Sequence, residues 1–362
     1  MHQPAGGAAA PLARAGADRR ARRTLRRDLI ALAVVGVLLV GALASATAVT
    51  YQNLYSPTAF VLRYLDLLAQ GRAADALALP GVAIDSGERD AAGLPVTASE
   101  ALLRADALAP LTQVTAIGTE QRDDATAVTV SYNAGRHSGT TTFLVERSGW
   151  AGVAPAWRFA QSPLAVIELT VRGAMQFQVN GFPVDKRQVS ADGADADPLD
   201  PLPLLVFSPG LYSLAVQTPA ATTPGVAVLS DSPLAEVPVQ LQAEPTPELI
   251  QVVQDEVAAF LTACAEQTVL QPTGCPFGRF FQNRVVGDPE WSILAQPTVA
   301  LVPAGTDWGI RRTLAVAQIT VDIQSLRDGS ILTVTEEVPF FLGGTVTILP
   351  DGTASIDVVA VD

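Results

Sequence analysis

The chain has 362 residues, 49% hydrophobic and only 16% charged, a balance that excludes a disordered polypeptide too polar to bury a core. Its net charge of −13 is unevenly spread: the first 27 residues carry seven Arg and one Asp, whereas residues 51–362 carry 16 basic and 34 acidic side chains. So acidic a body disfavours nucleic acid, whose binding needs cations set against phosphates, and disfavours close adhesion to anionic lipid.

Residues 1–28 read as an Arg-rich tail. From Leu29 to Val49 the chain is uncharged and apolar for 21 residues, and crossing a hydrocarbon core about 30 Å thick takes about 20. Arg19, Arg20, Arg22, Arg23, Arg26 and Arg27 crowd the N-terminal side, which marks that side as cytoplasmic. The expectation is a transmembrane helix over 29–50 that makes the chain single-pass at the cell membrane. The N-terminus is then cytoplasmic, membrane lipid is the anchor's partner, and all that follows is extracytoplasmic. Ala42-Leu43-Ala44 and Ala46-Thr47-Ala48 resemble signal-peptide cleavage sites and keep that competing reading open; it too exports the rest.

Residues 51–165 predict helices followed by an antiparallel sheet. Ser56-Pro57 is a helix start, and Phe60, Val61, Tyr64, Leu65 and Leu68 recur at the three- and four-residue spacing of an amphipathic helix. Gly71 breaks it, a shorter helix runs to Leu79, and the Gly/Ala-rich stretch over 80–110 has no clear period. Alternating runs begin at Leu111, Thr126, Thr140 and Ala156, parted by turn signals at Asp123-Asp124, Gly135–Gly139 and Ser148-Gly149.

Residues 166–242 show no helical period and predict a small β-domain of about five strands, with turns at Asn180-Gly181 and Pro209-Gly210. Residues 243–362 return to the first plan. Thr246-Pro247 opens a helix whose stripe is Leu249, Val252, Val253, Val257, Phe260 and Leu261. Strands follow from Pro297, Thr313, Ile331, Gly344 and Ala354, with tight turns at Arg327-Asp328-Gly329 and Pro350-Asp351-Gly352.

Cys264 and Cys275 are the only cysteines. An isolated close pair on the oxidising side of a membrane reads as a disulfide. A zinc site would need further ligands, and no histidine occurs after His137.

The opening SPTAFVLRYLDLLAQGRAADALAL resembles the first helices of NTF2-like domains in bacterial envelope proteins, and AWRFAQSP resembles that family's closing Trp-bearing strand. Residues 246–362 are similar to a second such domain, with the Cys264–Cys275 loop as an addition. QVNGFPVD and SPGLYSLAVQT are similar to small β-modules set between such domains, distantly as in TcaA-like anchored proteins, though this chain lacks the zinc-ribbon cysteines those often carry before the membrane helix. The resemblance implies an α+β chain: an N-terminal transmembrane helix, then two cone-shaped helix-plus-antiparallel-sheet domains flanking an all-β one. Some NTF2-like members are isomerases or dehydratases and many only bind, so fold does not settle activity.

No GxSxG, HExxH, Walker or dinucleotide glycine pattern occurs. Tyr64 falls on an apolar stripe and reads as a core tyrosine with its hydroxyl near the rim; Asp66 falls on the polar face; His137 sits in a Gly-rich turn. The aspartates of 192–200 lack the order of an EF-hand and read as a solvated acidic loop. In the strand over 331–342, Glu336 shares parity with Leu332 and Val334 and is the inward member of Glu336-Glu337. Tyr64 and Glu336 are therefore the candidate cavity-lining residues. No catalytic, cofactor or metal residue is assigned. The leading expectation is a non-enzymatic envelope-facing scaffold or binding protein with an envelope protein as partner. The alternative is an enzyme or small-ligand carrier acting inside one cone, favoured by a deep pocket at Tyr64 or Glu336 and opposed by a cone filled with Leu and Phe.

Overall fold

The computed structural model describes residues 30–40, 54–152, 154–349 and 353–361. Residues 30–40 are helical and expose their apolar side chains, Leu32 and Val37 among them. Among the described residues no helix is long and apolar enough to cross a membrane. That finding corrects the expected transmembrane helix over 29–50. Leu29, residues 41–50, the Arg-rich tail, both Ala-x-Ala triplets and the turn at 350–352 lie outside the described residues. The α+β class is corrected as well: 47% of the described residues are strand against 21% helix, so they are mostly β, with several sheets and a half-barrel.

Helix α1 (Pro57–Ala69) starts as its residues dictate. The Ser56 hydroxyl accepts from the Ala59 amide at 3.1 Å, and Pro57 stands where no amide donor is needed. Val61, Tyr64, Leu65 and Leu68 are buried along one face. Helix α2 (Ala73–Leu77) follows. The stretch without a clear period holds α3 (Ser86–Ala91), opened by a reciprocal Asp85–Glu88 capping box. Strands β1 (Leu111–Arg122), β2 (Ala125–Ala134), β3 (His137–Ala151) and β4 (Ala154–Phe159) form an antiparallel sheet in chain order. Ser148-Gly149, expected as a turn, is a bulge within β3, where the register with β4 shifts between Arg147 and Gly149.

The middle of the chain holds β5 (Leu164–Arg172), β6 (Gln176–Val179), β7 (Phe182–Asp185), the one-turn α4 (Lys186–Val189), β8 (Leu202–Phe207), β9 (Gly210–Ala215), β10 (Ala221–Thr222), β11 (Val226–Ser230), β12 (Glu236–Gln242) and β13 (Glu244–Pro245). Its strands are more numerous and shorter than expected. They make a three-stranded sheet β12-β5-β8, a four-stranded sheet β11-β9-β6-β7 and the small pair β10-β13.

The three-stranded sheet is buried on both faces. Leu164 and Val166 of β5, with Leu205 and Phe207 of β8, join the core beneath α1 and the first sheet. The alternate residues Ala165, Ile167 and Leu169, with Leu204 and Val206, join a second core that continues into the C-terminal unit. Burial on both faces explains why β5 opens with the unbroken apolar run Leu-Ala-Val-Ile before it alternates. Backbone bonds extend the junction: Ser99 donates to the Pro203 carbonyl at 2.9 Å and accepts from the Leu205 amide at 2.8 Å, covering the edge of β8. The expected division at 165/166 falls inside β5.

Helix α5 (Pro247–Ala265) is capped by Thr246, whose hydroxyl accepts from the Leu249 amide at 3.2 Å. It buries Leu249, Val253, Val257, Leu261 and Cys264, whereas Val252, expected in that stripe, is 53% exposed. Strands β14 (Arg284–Ala295), β16 (Asp307–Gln324), β17 (Ile331–Ile348) and β18 (Ala354–Ala360) form the last sheet in that order, and β15 (Leu301–Ala304) pairs with β16. Strand β17 runs through Gly343-Gly344, where two strands were expected. A Cβ on Gly344 would lie 2.1 Å from the Asp357 carbonyl oxygen, so glycine is what lets β18 pair there. Strand β14 was not anticipated, because Gly287-Asp288-Pro289 reads as a break; the fold absorbs it as an irregularity between Val286 and Glu290.

Candidate functional site

The two candidate cavity-lining residues stand on the inner faces of the two helix-plus-sheet units, and in both units the chain fills that face itself. Tyr64 is fully buried. Its ring meets Phe143 edge-on at 6.0 Å and Phe159 at 5.2 Å, and its hydroxyl donates to the Ser208 carbonyl at 3.1 Å. Burial, and then the nearby Tyr212, push the Tyr64 phenol well above the usual tyrosine range. The hydroxyl thus points into the junction with the middle sheet, away from any rim.

Glu336 lies on the inner face, on the parity of Val338 and the buried Phe340 and Leu342. Its carboxylate is engaged by a cation. The Arg279 guanidinium holds its Oε2 from Nε at 2.7 Å and from Nη2 at 2.6 Å, with the two side chains 49% and 36% exposed. Arg279 belongs to the segment that follows the disulfide. Cys264, at the buried end of α5, bonds Cys275 with S–S 2.02 Å and Cα–Cα 5.8 Å.

The loop between them is stitched from within. The Gln267 side chain accepts from the Thr273 amide at 2.8 Å and donates to the Thr273 carbonyl at 3.2 Å. Just beyond the disulfide, Phe277 is buried with its ring 4.9 Å from Trp291 and 5.1 Å from Phe340. The Trp291 indole in turn donates to the Val269 carbonyl at 2.8 Å. The disulfide, the aromatic trio and the Arg279–Glu336 pair together make a plug over the inner face.

The acidic loop is organised by a cation the chain supplies. Lys186, the sole lysine, is only 4% exposed, and its ammonium donates to the carbonyl oxygens of Asp197 and Asp200. Burial lowers its pKa, opposed by the carboxylates of Asp200, Asp197 and Asp192. Among the described residues no group of three or more His, Cys, Asp or Glu is placed to hold a metal ion. Asp66 is exposed and accepts from the Gln70 amide at 2.7 Å, four residues along the helix. His137 is exposed where β3 begins, and Glu337 is exposed on the outer face of β17.

Sequence reasoning missed two features. The Arg147 guanidinium lies 5.0 Å from the Trp150 ring and 5.7 Å from that of Trp157, and Trp150 is 63% exposed. The Trp157 indole donates to the Tyr55 carbonyl at 2.8 Å. Only the density of Trp and Arg around Gly149 signals this cluster. The second feature is a cleft of about 350 Å³ between Arg172, Gly173, Leu199, Gln242, Pro303 and Gly305, where β5 and β12 end side by side.

Comparison with known protein families, curated proteins and solved structures finds no match to this chain.

Proposed function

We propose that the protein is a non-enzymatic scaffold or binding protein of an extracytoplasmic compartment, built on two helix-plus-sheet units and working through contacts on its outside. The observation that carries this reading is that both inner faces are filled by the chain's own side chains: Tyr64, Phe143 and Phe159 in one unit, Phe277, Trp291 and Phe340 in the other. The Cys264–Cys275 disulfide supports the compartment, since such bonds persist in oxidising surroundings. The exposed Trp150 with Arg147 supports a protein partner, because Trp and Arg are over-represented among the residues that dominate binding energy.

The test is in-cell photo-crosslinking of the full chain from position 150, with position 66 as an exposed control. Capture of one envelope protein from 150, lost in Arg147→Ala, is the expected result. Equal capture of many proteins from both positions overturns the reading. A second reading, carriage of a small ligand, draws support from the Arg172 cleft, whose size suits one. Thermal-shift titration with simple carboxylates tests it: stabilisation lost in Arg172→Ala favours it, and no shift with any of them removes it.

A further inference from the structure

One face of the last sheet packs on α5, and the other carries more apolar surface than a solvated face needs. In an antiparallel ladder, directly opposed residues share a face. Leu314 opposes Phe341, Val316 opposes Pro339, and Val359 of β18 opposes Gly343. Leu314 is 53%, Phe341 37% and Val359 46% exposed, and Pro339 is exposed between them. These residues form one patch across three strands. Such continuity marks an interaction surface, whereas scattered exposed apolar residues do not.

The charges beside the patch select its occupant. At one end Arg312 lies over Phe341, its guanidinium carbon 3.6 Å from the ring centroid. Glu337 stands exposed on the same face, four residues before Phe341 and opposite Gln318, about 13 Å away along the strand. Neither makes an ion pair with another described residue. The row therefore reads cation, apolar centre, anion, with Val316 and Pro339 at its middle.

Turn a second copy about an axis that lies in the interface and crosses the strands at Val316–Pro339. Its apolar centre falls on the first, its Glu337 falls opposite Arg312, and its Arg312 opposite Glu337. A two-fold contact requires this self-complementarity, each residue meeting its counterpart twice over. Asp322 and Asp357, further out on the same face, fall where two twisted sheets packed face to face diverge. We infer that this outer face is a homodimer interface, joining two copies through the Leu314–Phe341 patch and two reciprocal Arg312–Glu337 pairs. The inference goes beyond the proposed function and does not depend on it.

Sedimentation velocity of the full chain over a concentration series tests it. Wild type should show a concentration-dependent dimer. Arg312→Glu and Glu337→Arg should each raise the dissociation constant at least about tenfold, since each sets two pairs of like charges together. Mixing the two variants should restore dimers, because a mixed pair regains both attractions; misfolding cannot produce that recovery. Three results overturn the inference: wild type monomeric at the highest attainable concentration, a dimer indifferent to both reversals, or no recovery on mixing. Photo-crosslinks from position 314 to a different protein and none to a second copy also overturn it.

Discussion

The phenol of Tyr64 donates to the carbonyl of Ser208 at 3.1 Å, tying α1 to the residue that follows β8, 144 positions later. Tyr64→Phe leaves that buried carbonyl without this donor and should cost about 1–3 kcal/mol. Tyr64→Ala also removes the ring from Phe143 and Phe159 and should cost about 3–5 kcal/mol. Denaturant unfolding of both variants measures this. The bond joins two units that share a core, so fluorescence and circular dichroism should shift together.

Alkaline pH should unfold the protein through its buried tyrosines. Burial raises the phenols of Tyr64, Tyr132 and Tyr212 above the usual value near 10. Stability from these groups is fully present below pH 10. It falls as pH rises further, because the unfolded chain then releases protons that the folded chain retains. Lys186, whose pKa burial lowers, acts in the opposite sense over the interval below its usual value, but it is one group against three. Titration of phenolate absorbance should therefore show three of the five tyrosines ionising late and together with unfolding. Independent ionisation of all five at ordinary pH contradicts this.

The plug's parts should differ widely in weight. Glu336→Gln removes an ion pair between half-exposed groups and should cost no more than about 1 kcal/mol. Phe277→Ala empties the space between Trp291 and Phe340 and should cost about 3–5 kcal/mol. Replacing both Cys264 and Cys275 by Ser frees a short loop and should cost about 2–3 kcal/mol. Melting curves of the three variants rank them.

Lys186→Met keeps the stem and removes the ammonium, leaving the carbonyls of Asp197 and Asp200 without their donor and the loop's aspartates without their cation. The expected loss is about 1–3 kcal/mol, with faster proteolytic nicking within 190–201. Limited proteolysis followed by mass spectrometry reads the second effect. Unchanged cleavage would mean that Lys186 does not order the loop.

What was legible in the sequence is what short-range chemistry decides. The Ser56-Pro57 start and the α1 stripe follow from caps and a helical period confined to a few neighbours. The inward parity of Glu336 follows from strand alternation alone. Its partner Arg279 lies 57 residues away in a segment with no period, so nothing local announces the pair. Lys186 was visible as the only lysine, but what it binds depends on a loop that folds back 11 and 14 residues later. The apolar run over 29–49 carries the composition of a spanning helix, but only residues 30–40 of it are described, and no described helix is long and apolar enough to cross a membrane. The two-faced burial of β5 was missed because its alternation begins only after Ile167, and its partner strand β8 lies beyond a polar loop.

That doubly buried sheet also bears on how the chain is made. When a ribosome has synthesised residue 165, both ends of the first unit exist, but Leu205 and Phe207, which complete its core, are about forty residues from being added. At roughly 5–20 residues per second the nascent unit waits about 2–8 seconds with an apolar flank open to water. The first core is therefore closed by the arrival of β8 rather than by the completion of the first unit's own residues.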